Sequence, residues 1–235
     1  MNEDLLKEIA RRLTEWYMRY GRRFPWRTIE DPNIILVTEF LLQRTRAETI
    51  EKAFNIFISK YGDIAKLAST SPHELQKFFF KLGLFYRGER LISIAKEIKE
   101  KYDGKVPCDF EKLLRLRGVG VYIASAVLNF GCEKPTAVVD KNVLRVLNRL
   151  AGITRETEAR HFIESLYQFG DHKVIAYALI DLGATICKEN PNCSKCPLND
   201  ICPKHPLKKD KWRMLRKVIG KRGKIRLQEQ PVTSK

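Results

Sequence analysis

The sequence predicts an all-α chain, and three observations carry that expectation. Apolar residues recur at three- and four-residue spacing through nearly every periodic segment. Polar or proline-containing caps punctuate those segments, and no stretch alternates apolar with polar as a half-buried strand would. With 235 residues, 44% of them hydrophobic, the chain is long enough to bury one substantial core or two smaller ones sharing a cleft.

The elements follow in order. Leu5, Ile9, Leu13 and Trp16 form one face of a first helix, capped by Asn2. Phe24-Pro25-Trp26-Arg27 and Asp31-Pro32 interrupt helicity, and the run from Ile34 to Leu42 is apolar except for Thr38 and Glu39, which predicts a buried helix. Thr45-Arg46-Ala47-Glu48 matches a capping box ahead of Ile50, Phe54 and Phe57, and Ser71-Pro72-His73-Glu74 matches a second, whose helix Gly83 would stop. Further helices are expected over residues 91–101, 110–115, 121–130, 142–151, 156–169 and 172–186. Beyond Pro206 the apolar pattern thins to one short helical candidate at 212–219, so residues 207–235 read as a basic tail.

No window approaches the ~18 apolar residues of a membrane span, and Met1-Asn2-Glu3-Asp4 lacks the basic and apolar parts of a secretory signal, which predicts a cytosolic protein without a membrane partner. The net charge of +16 favours polyanionic partners. Residues 204–235 hold twelve Lys or Arg against Asp210 and Glu229, a net +10, so the first 203 residues carry only +6. Composition alone does not separate DNA from RNA, a membrane surface or a merely solvated tail. High Lys, Arg and Glu with five Gln is compatible with a thermophilic source.

Two motifs carry chemistry. In Leu116-Arg117-Gly118-Val119-Gly120, alternate glycines permit a tight turn and close backbone approach, and the helix that follows can present free N–H groups to a phosphate; ordinary helix–turn–helix packing gives the same pattern. Cys187-x5-Cys193-x2-Cys196-x5-Cys202 is a compact thiol cluster that reads as a metal site rather than as disulfides, with zinc and an iron–sulfur cluster both open. Cys108 and Cys132 fall outside it and read as buried thiols. Asp140 suits an N-cap for the helix at 142, or a carboxylate site, or both. Glu39 is either a solvent-facing residue or, if buried in its apolar run, a site.

The run from Leu113 to Arg149, with its Leu-x-Gly-Val-Gly and its Val-Val-Asp140-Lys-Asn-Val-x-Arg145-Val-x-Asn-Arg149, resembles the helix-hairpin-helix DNA glycosylases, the superfamily of endonuclease III and the adenine mismatch glycosylases. The resemblance extends from about Leu13 to Cys202, and Phe24-Pro25-Trp26-Arg27 and Thr38-Glu39-Phe40-Leu41-Leu42-Gln43-Arg44-Thr45 favour the mismatch branch. Arg117 departs from it, since the family usually has proline there.

The resemblance implies two helical subdomains with the active-site cleft between them. Residues 30–134 would form a helical barrel bearing the hairpin, and 1–29 with 135–206 the cluster subdomain. It implies a catalytic carboxylate at Asp140 and a pocket glutamate at Glu39. At Tyr122, where strand-cutting members have a lysine, it implies hydrolysis without efficient lyase chemistry, because a phenol cannot form an imine. Tyrosine here is similar to the archaeal thymine mismatch glycosylases, which act on thymine or uracil opposite guanine; an adenine enzyme acting opposite guanine or oxidised guanine, or a bifunctional endonuclease III-like glycosylase, remains the alternative, and a DNA-structure binding protein without catalysis a further reading. Gly118, Val119 and Gly120 would grip the strand, with Gln43, Arg44 and Leu84 holding the orphaned base and filling the gap. The four cysteines would hold a [4Fe-4S] cluster, although their first gap has five residues where six is usual. The implied partner is double-stranded DNA with a wrong or damaged base, met by a monomer in the nucleoid.

Overall fold

The computed structural model describes residues 2–43, 45–80 and 87–203, with the backbone alone at 2 and 87. Arg44, Gly83, Leu84 and the basic tail therefore lie outside the described residues.

Eleven α-helices account for most of the described chain, and no strand occurs among the described residues. They are α1 (Asn2–Tyr20), α2 (Pro32–Leu42), α3 (Ala47–Tyr61), α4 (Ile64–Ser69), α5 (Pro72–Phe80), α6 (Arg87–Tyr102), α7 (Phe110–Arg115), α8 (Val121–Ala126), α9 (Lys141–Ala151), α10 (Glu156–Tyr167) and α11 (His172–Asp181). A 3-10 turn at Pro25–Thr28 joins α1 to α2. Two helices run on into wider π-helical turns, α8 through Val127–Gly131 and α11 through Leu182–Ile186. No helix among the described residues is long and apolar enough to cross a membrane.

The caps explain most of the boundaries. Asp31, Asp63, Asp109, Asp140 and Asp171 each accept a backbone N–H of the first turn they precede, at 2.7–3.0 Å. Ser71 Oγ accepts from Glu74 N at 3.2 Å, as its capping box predicts. The Thr45 capping box fails: α3 starts at Ala47 behind Arg46, and the Thr45 hydroxyl turns back to the Gln43 carbonyl at 3.3 Å. Asn2, expected outside α1 as its cap, is the first residue of the helix.

Helix α2 is buried along Ile35–Leu41 and packs on α3, α6, α8 and the Val127–Gly131 turn. Helix α1 packs on α10 and α11, and α9 on the same pair. One continuous apolar core joins these groups and takes in Leu198 and Ile201 from the cysteine loop. Between α8 and α9, residues 132–139 form an irregular strap whose Ala137, Val138 and Val139 are buried; it ends on Asp140.

Cys108 and Cys132 are not free thiols. They form a disulfide across 24 residues, tying the segment before α7 to the turn after α8. The expectation of reduced cysteines rested on the compartment; here the fold brings both ends of the hairpin module together, which spacing does not disclose.

A candidate active site around Glu39, Tyr122 and Asp140

Helix α2 supplies Glu39, α8 supplies Tyr122 and the N-terminus of α9 supplies Asp140. The solvent-facing reading of Glu39 is overturned: the residue is 8% exposed in a helix buried on all sides. Burial pushes its carboxyl up, the Arg27 guanidinium pulls it down, the Asp140 charge pushes it up and a hydrogen bond from Tyr122 pulls it down, leaving it at about 7. Burial, then the Glu39 and Asp140 charges, raises the Tyr122 phenol well above its ordinary value, so it stays a neutral donor.

Asp140 serves as a helix cap and faces this group as well. One oxygen accepts from Val143 N at 2.7 Å and the other from Asn142 Nδ2 at 3.1 Å. Asn142 is held in turn by Arg145, whose Nη2 donates to Asn142 Oδ1 at 2.9 Å and to the Gly183 carbonyl at 2.8 Å, while Nε donates to the Cys187 carbonyl at 2.9 Å. Gly183 permits the close approach this needs, since a Cβ there would stand 2.9–3.0 Å from Asn142 atoms, backbone included.

Arg27, in the sequence only part of the Phe24-Pro25-Trp26-Arg27 segment, and Asp181, which the sequence reading passed over, frame Glu39. Their side chains are 7% and 0% exposed and meet through two bonds of 2.7 Å, with Arg22 Nε adding a third at 2.7 Å. Burial raises the Asp181 carboxyl, and the guanidinium partners outweigh it and hold it below its usual range. Arg27 also lies over the Tyr177 ring at 4.4 Å, and Tyr177 stacks on Phe130 at 4.1 Å. Asp181 is the sole charged residue of an otherwise apolar run from Val174 to Leu182, the same signal that marked Glu39.

The glycine hairpin forms as its spacing requires. Gly118 sits at φ +88, a region that favours glycine, and Val119 N donates to the Leu116 carbonyl at 3.1 Å. Gly120 precedes α8, and a Cβ there would meet nothing within 4 Å. The first-turn N–H groups of α8 have no acceptor within the helix. Arg117 N donates to Glu97 at 3.2 Å, an anchor a proline could not make. Gln43 ends α2 and is half-buried, while Lys141 is exposed on the first turn of α9.

The four remaining cysteines form no disulfide and are half-buried, and all four line one cavity of about 350 Å3 with Val146, Leu150 and Leu182. Among the described residues no three His, Cys, Asp or Glu side chains converge as a single metal ion requires. Burial, with the other three thiols nearby, pushes Cys196 up to about 12. Arg149 Nη1 lies 3.4 Å from Cys187 Sγ and also donates to the Lys188 carbonyl, and Arg12 of α1 reaches Asp200. Lys188 and Lys195 are exposed on the loop.

Residues 37–168 match the family model described as the HhH-GPD superfamily base excision DNA repair protein. The chain belongs to that superfamily. Among HhH-GPD relatives, a thymine-DNA glycosylase of Aeropyrum pernix is 36% identical over 214 residues, covering 86% of this chain and 96% of its own. A thymine/uracil-DNA glycosylase of Pyrobaculum aerophilum is 31% identical, covering 81% and 88%. Among solved structures, a thermostable thymine-DNA glycosylase superposes with a TM-score of 0.79 at 30% identity, covering 86% of this chain and 97% of its own. The all-helical HhH-GPD fold expected from the sequence is the fold observed.

Proposed function

We propose that this chain is a monofunctional DNA glycosylase of base excision repair that hydrolyses the N-glycosidic bond of thymine or uracil mispaired with guanine. The names of its relatives from Aeropyrum and Pyrobaculum support that substrate class. The observation that carries the reading is Tyr122, a neutral phenol bonded to Glu39 beside the Asp140 charge, at the position where a lyase would need an amine. Lys141, next to Asp140 in the chain, is exposed on the first turn of α9 and does not occupy the lysine position of the motif.

In the proposed reaction the target nucleotide swings out of a double-stranded partner into the cleft, as a reacting atom inside the stack is out of reach. The bond from C1′ to the base nitrogen breaks, and the sugar acquires oxocarbenium character that the Asp140 carboxylate stabilises. Water then bonds C1′ and gives up a proton, and the departing base takes up a proton, so base and abasic sugar leave as neutral products. Glu39, poised near 7, is the group that exchanges protons with the base. Gly118, Val119 and Gly120 would receive strand phosphate, with Gln43, Arg44 and Leu84 at the extruded position, although Arg44 and Leu84 lie outside the described residues.

Cys187, Cys193, Cys196 and Cys202 would hold a [4Fe-4S] cluster, which when bound supplies a rigid structural anchor for the loop carrying Lys188 and Lys195. The four thiols line one cavity, which fits a thiolate-held group at this loop. Residues 30–134 would act as the barrel and 1–29 with 135–206 as the cluster subdomain of a monomer at work on the nucleoid.

Base release from guanine–thymine, guanine–uracil and adenine-containing duplexes, developed with and without alkali, tests the reading. Release of thymine and uracil, with strand breaks only after alkali, is expected. Intact guanine–thymine and guanine–uracil duplexes refute it. One observation favours adenine as a second reading: a carboxyl near 7 can protonate a purine ring, and adenine release in the same panel would establish that. Asp140→Asn should abolish turnover and spare duplex binding; unchanged turnover returns Asp140 to a capping role only.

A further inference from the structure

The strap of residues 132–139 enters the core without a strand partner, so its buried backbone groups need side chains to satisfy them. Asn129 and Arg160, on the two neighbouring helical elements, do so at two consecutive positions, and Tyr167 stands beside the next. Asn129 Nδ2, on the π-helical turn after α8, donates to the Thr136 carbonyl at 2.9 Å. Arg160 Nη1, on α10, donates to the Ala137 carbonyl at 2.8 Å. The Tyr167 hydroxyl, two turns further along α10, lies near enough to the Val138 backbone for it to offset part of the rise that burial imposes on the phenol. Cross-links knit the set together, since Asn129 Nδ2 also reaches Tyr167 Oη at 3.2 Å and Arg160 Nη1 reaches Ser125 Oγ at 2.9 Å. Two residues after Val138 the chain arrives at Asp140.

Backbone satisfaction alone does not call for these residue types. Asn129 and Ser125 are 0% exposed in an otherwise apolar helix, and Asn129 Oδ1 and Arg160 Nη2 are buried without a partner. Arg160 forms no salt bridge among the described residues, and its Nη1 bonds go to neutral oxygens. Such groups are expensive where packing is the sole task, because apolar side chains of similar volume do as well or better. What polar anchors add is direction: each bond fixes one strap atom in register with a rigid helix.

We propose that Asn129, Arg160 and Tyr167 are positioning residues, which clamp the strap at 136–138 and so set where the Asp140 carboxylate stands relative to the sugar. The inference rests on the reading of Asp140 as the catalytic carboxylate. On the other side Asn142 and the first turn of α9 hold the same side chain, so Asp140 is pinned from both chain directions. A displacement on the order of 1 Å at a reacting group costs about 100-fold in rate. Loosening the strap therefore slows bond cleavage without weakening the hold on DNA.

The test compares Tyr167→Phe, Arg160→Met and Arg160→Lys with the unaltered full chain. Three quantities are measured: single-turnover release of thymine with enzyme in excess, Kd for a duplex bearing an abasic-site analogue, and thermal unfolding. Expected are a rate about 10-fold lower for Tyr167→Phe and up to about 100-fold lower for Arg160→Met. Kd should stay within about 2-fold. Arg160→Lys, which keeps one donor for the Ala137 carbonyl, should recover part of the rate. Because Tyr167→Phe removes a single oxygen, it serves even if Arg160→Met fails to fold. A fall in unfolding temperature with an unchanged saturating rate makes these residues struts and overturns the proposal. Asp140→Asn, assayed alongside, separates the two claims: if it retains full turnover, the reading of Asp140 fails and the clamp with it. If it is inactive while the clamp variants cleave at the normal rate, only the clamp fails.

Discussion

Glu39 should make the folded chain less stable as pH rises, and Glu39→Gln should remove that effect. The side chain is 8% exposed and its carboxyl is raised from 4.5 to about 7. Between those values the folded chain holds a proton that the unfolded chain has released, so stability falls as pH climbs through the window and stays lowered above it. Raising the carboxyl that far corresponds to roughly 3 kcal/mol, at about 1.36 kcal/mol per tenfold change in proton affinity. Gln keeps an acceptor for the Tyr122 hydroxyl and has no charge to desolvate. At pH 8 Glu39→Gln should therefore be more stable by about 3 kcal/mol, and near pH 4 the two proteins should differ little. For a chain of this length that is a rise of roughly 6–12 °C in melting temperature. Urea and thermal unfolding at both pH values, at matched ionic strength, measure the difference, and single-turnover base release follows the loss of activity. A gap between the proteins that does not change with pH refutes the account of Glu39 as a desolvated acid.

Other perturbations separate the parts of the site. Replacing both Cys108 and Cys132 by Ala opens a loop with a sequence separation of 24, which should cost about 3 kcal/mol in urea unfolding; reductant added to the unaltered protein should do the same. Gly120→Ala adds a Cβ that meets nothing within 4 Å, so unfolding should be unchanged within about 0.5 kcal/mol while duplex affinity falls; equal affinity would place the strand elsewhere. Cys196→Ser should lower iron and sulfide content and the brown colour together, whereas stoichiometric zinc in the unaltered protein would overturn the cluster assignment.

Where the sequence was legible, the cause was local. Apolar spacing and a side-chain cap act within a few residues, so α7 falls on 110–115 as its pattern predicts, and the aspartates before α7, α9 and α11 each cap their helix. Helix α4, no shorter than α7, escaped notice because only Gly62 and Asp63 separate it from α3, so its apolar residues run on from the preceding pattern although its Asp63 cap was present. The π-helical extensions were illegible for another reason: Gly131 lies against the Pro32 backbone and Gly183 against Asn142, contacts made between distant segments. The disulfide belongs to the same class. Glu39 could be picked out as a charge in an apolar run, and Asp181 could have been by the same rule, but only the fold pairs Asp181 with Arg27 and sets that guanidinium against Glu39.

The polar content of the core argues that these features serve chemistry. Buried polar or charged residues among the described positions are Thr38, Glu39, Ser125, Asn129 and Asp181. Thr38 bonds back to the Ile34 carbonyl one turn earlier at 2.7 Å and asks nothing of the tertiary structure. The other four are all in the site or its frame: Glu39 within it, Asp181 holding Arg27, and Ser125 and Asn129 within the group that holds the strap. A helical core gains little stability from any of them, since each must be desolvated and then matched by a partner of correct geometry. Chance or a general demand for polar cross-links would scatter such residues through α3, α5 and α6 as well, and the buried positions of α3 and α5 are apolar. Their confinement to the surroundings of Glu39 and Asp140 is what a demand for fixed charge positions produces, at the expense of stability that apolar substitutes would restore.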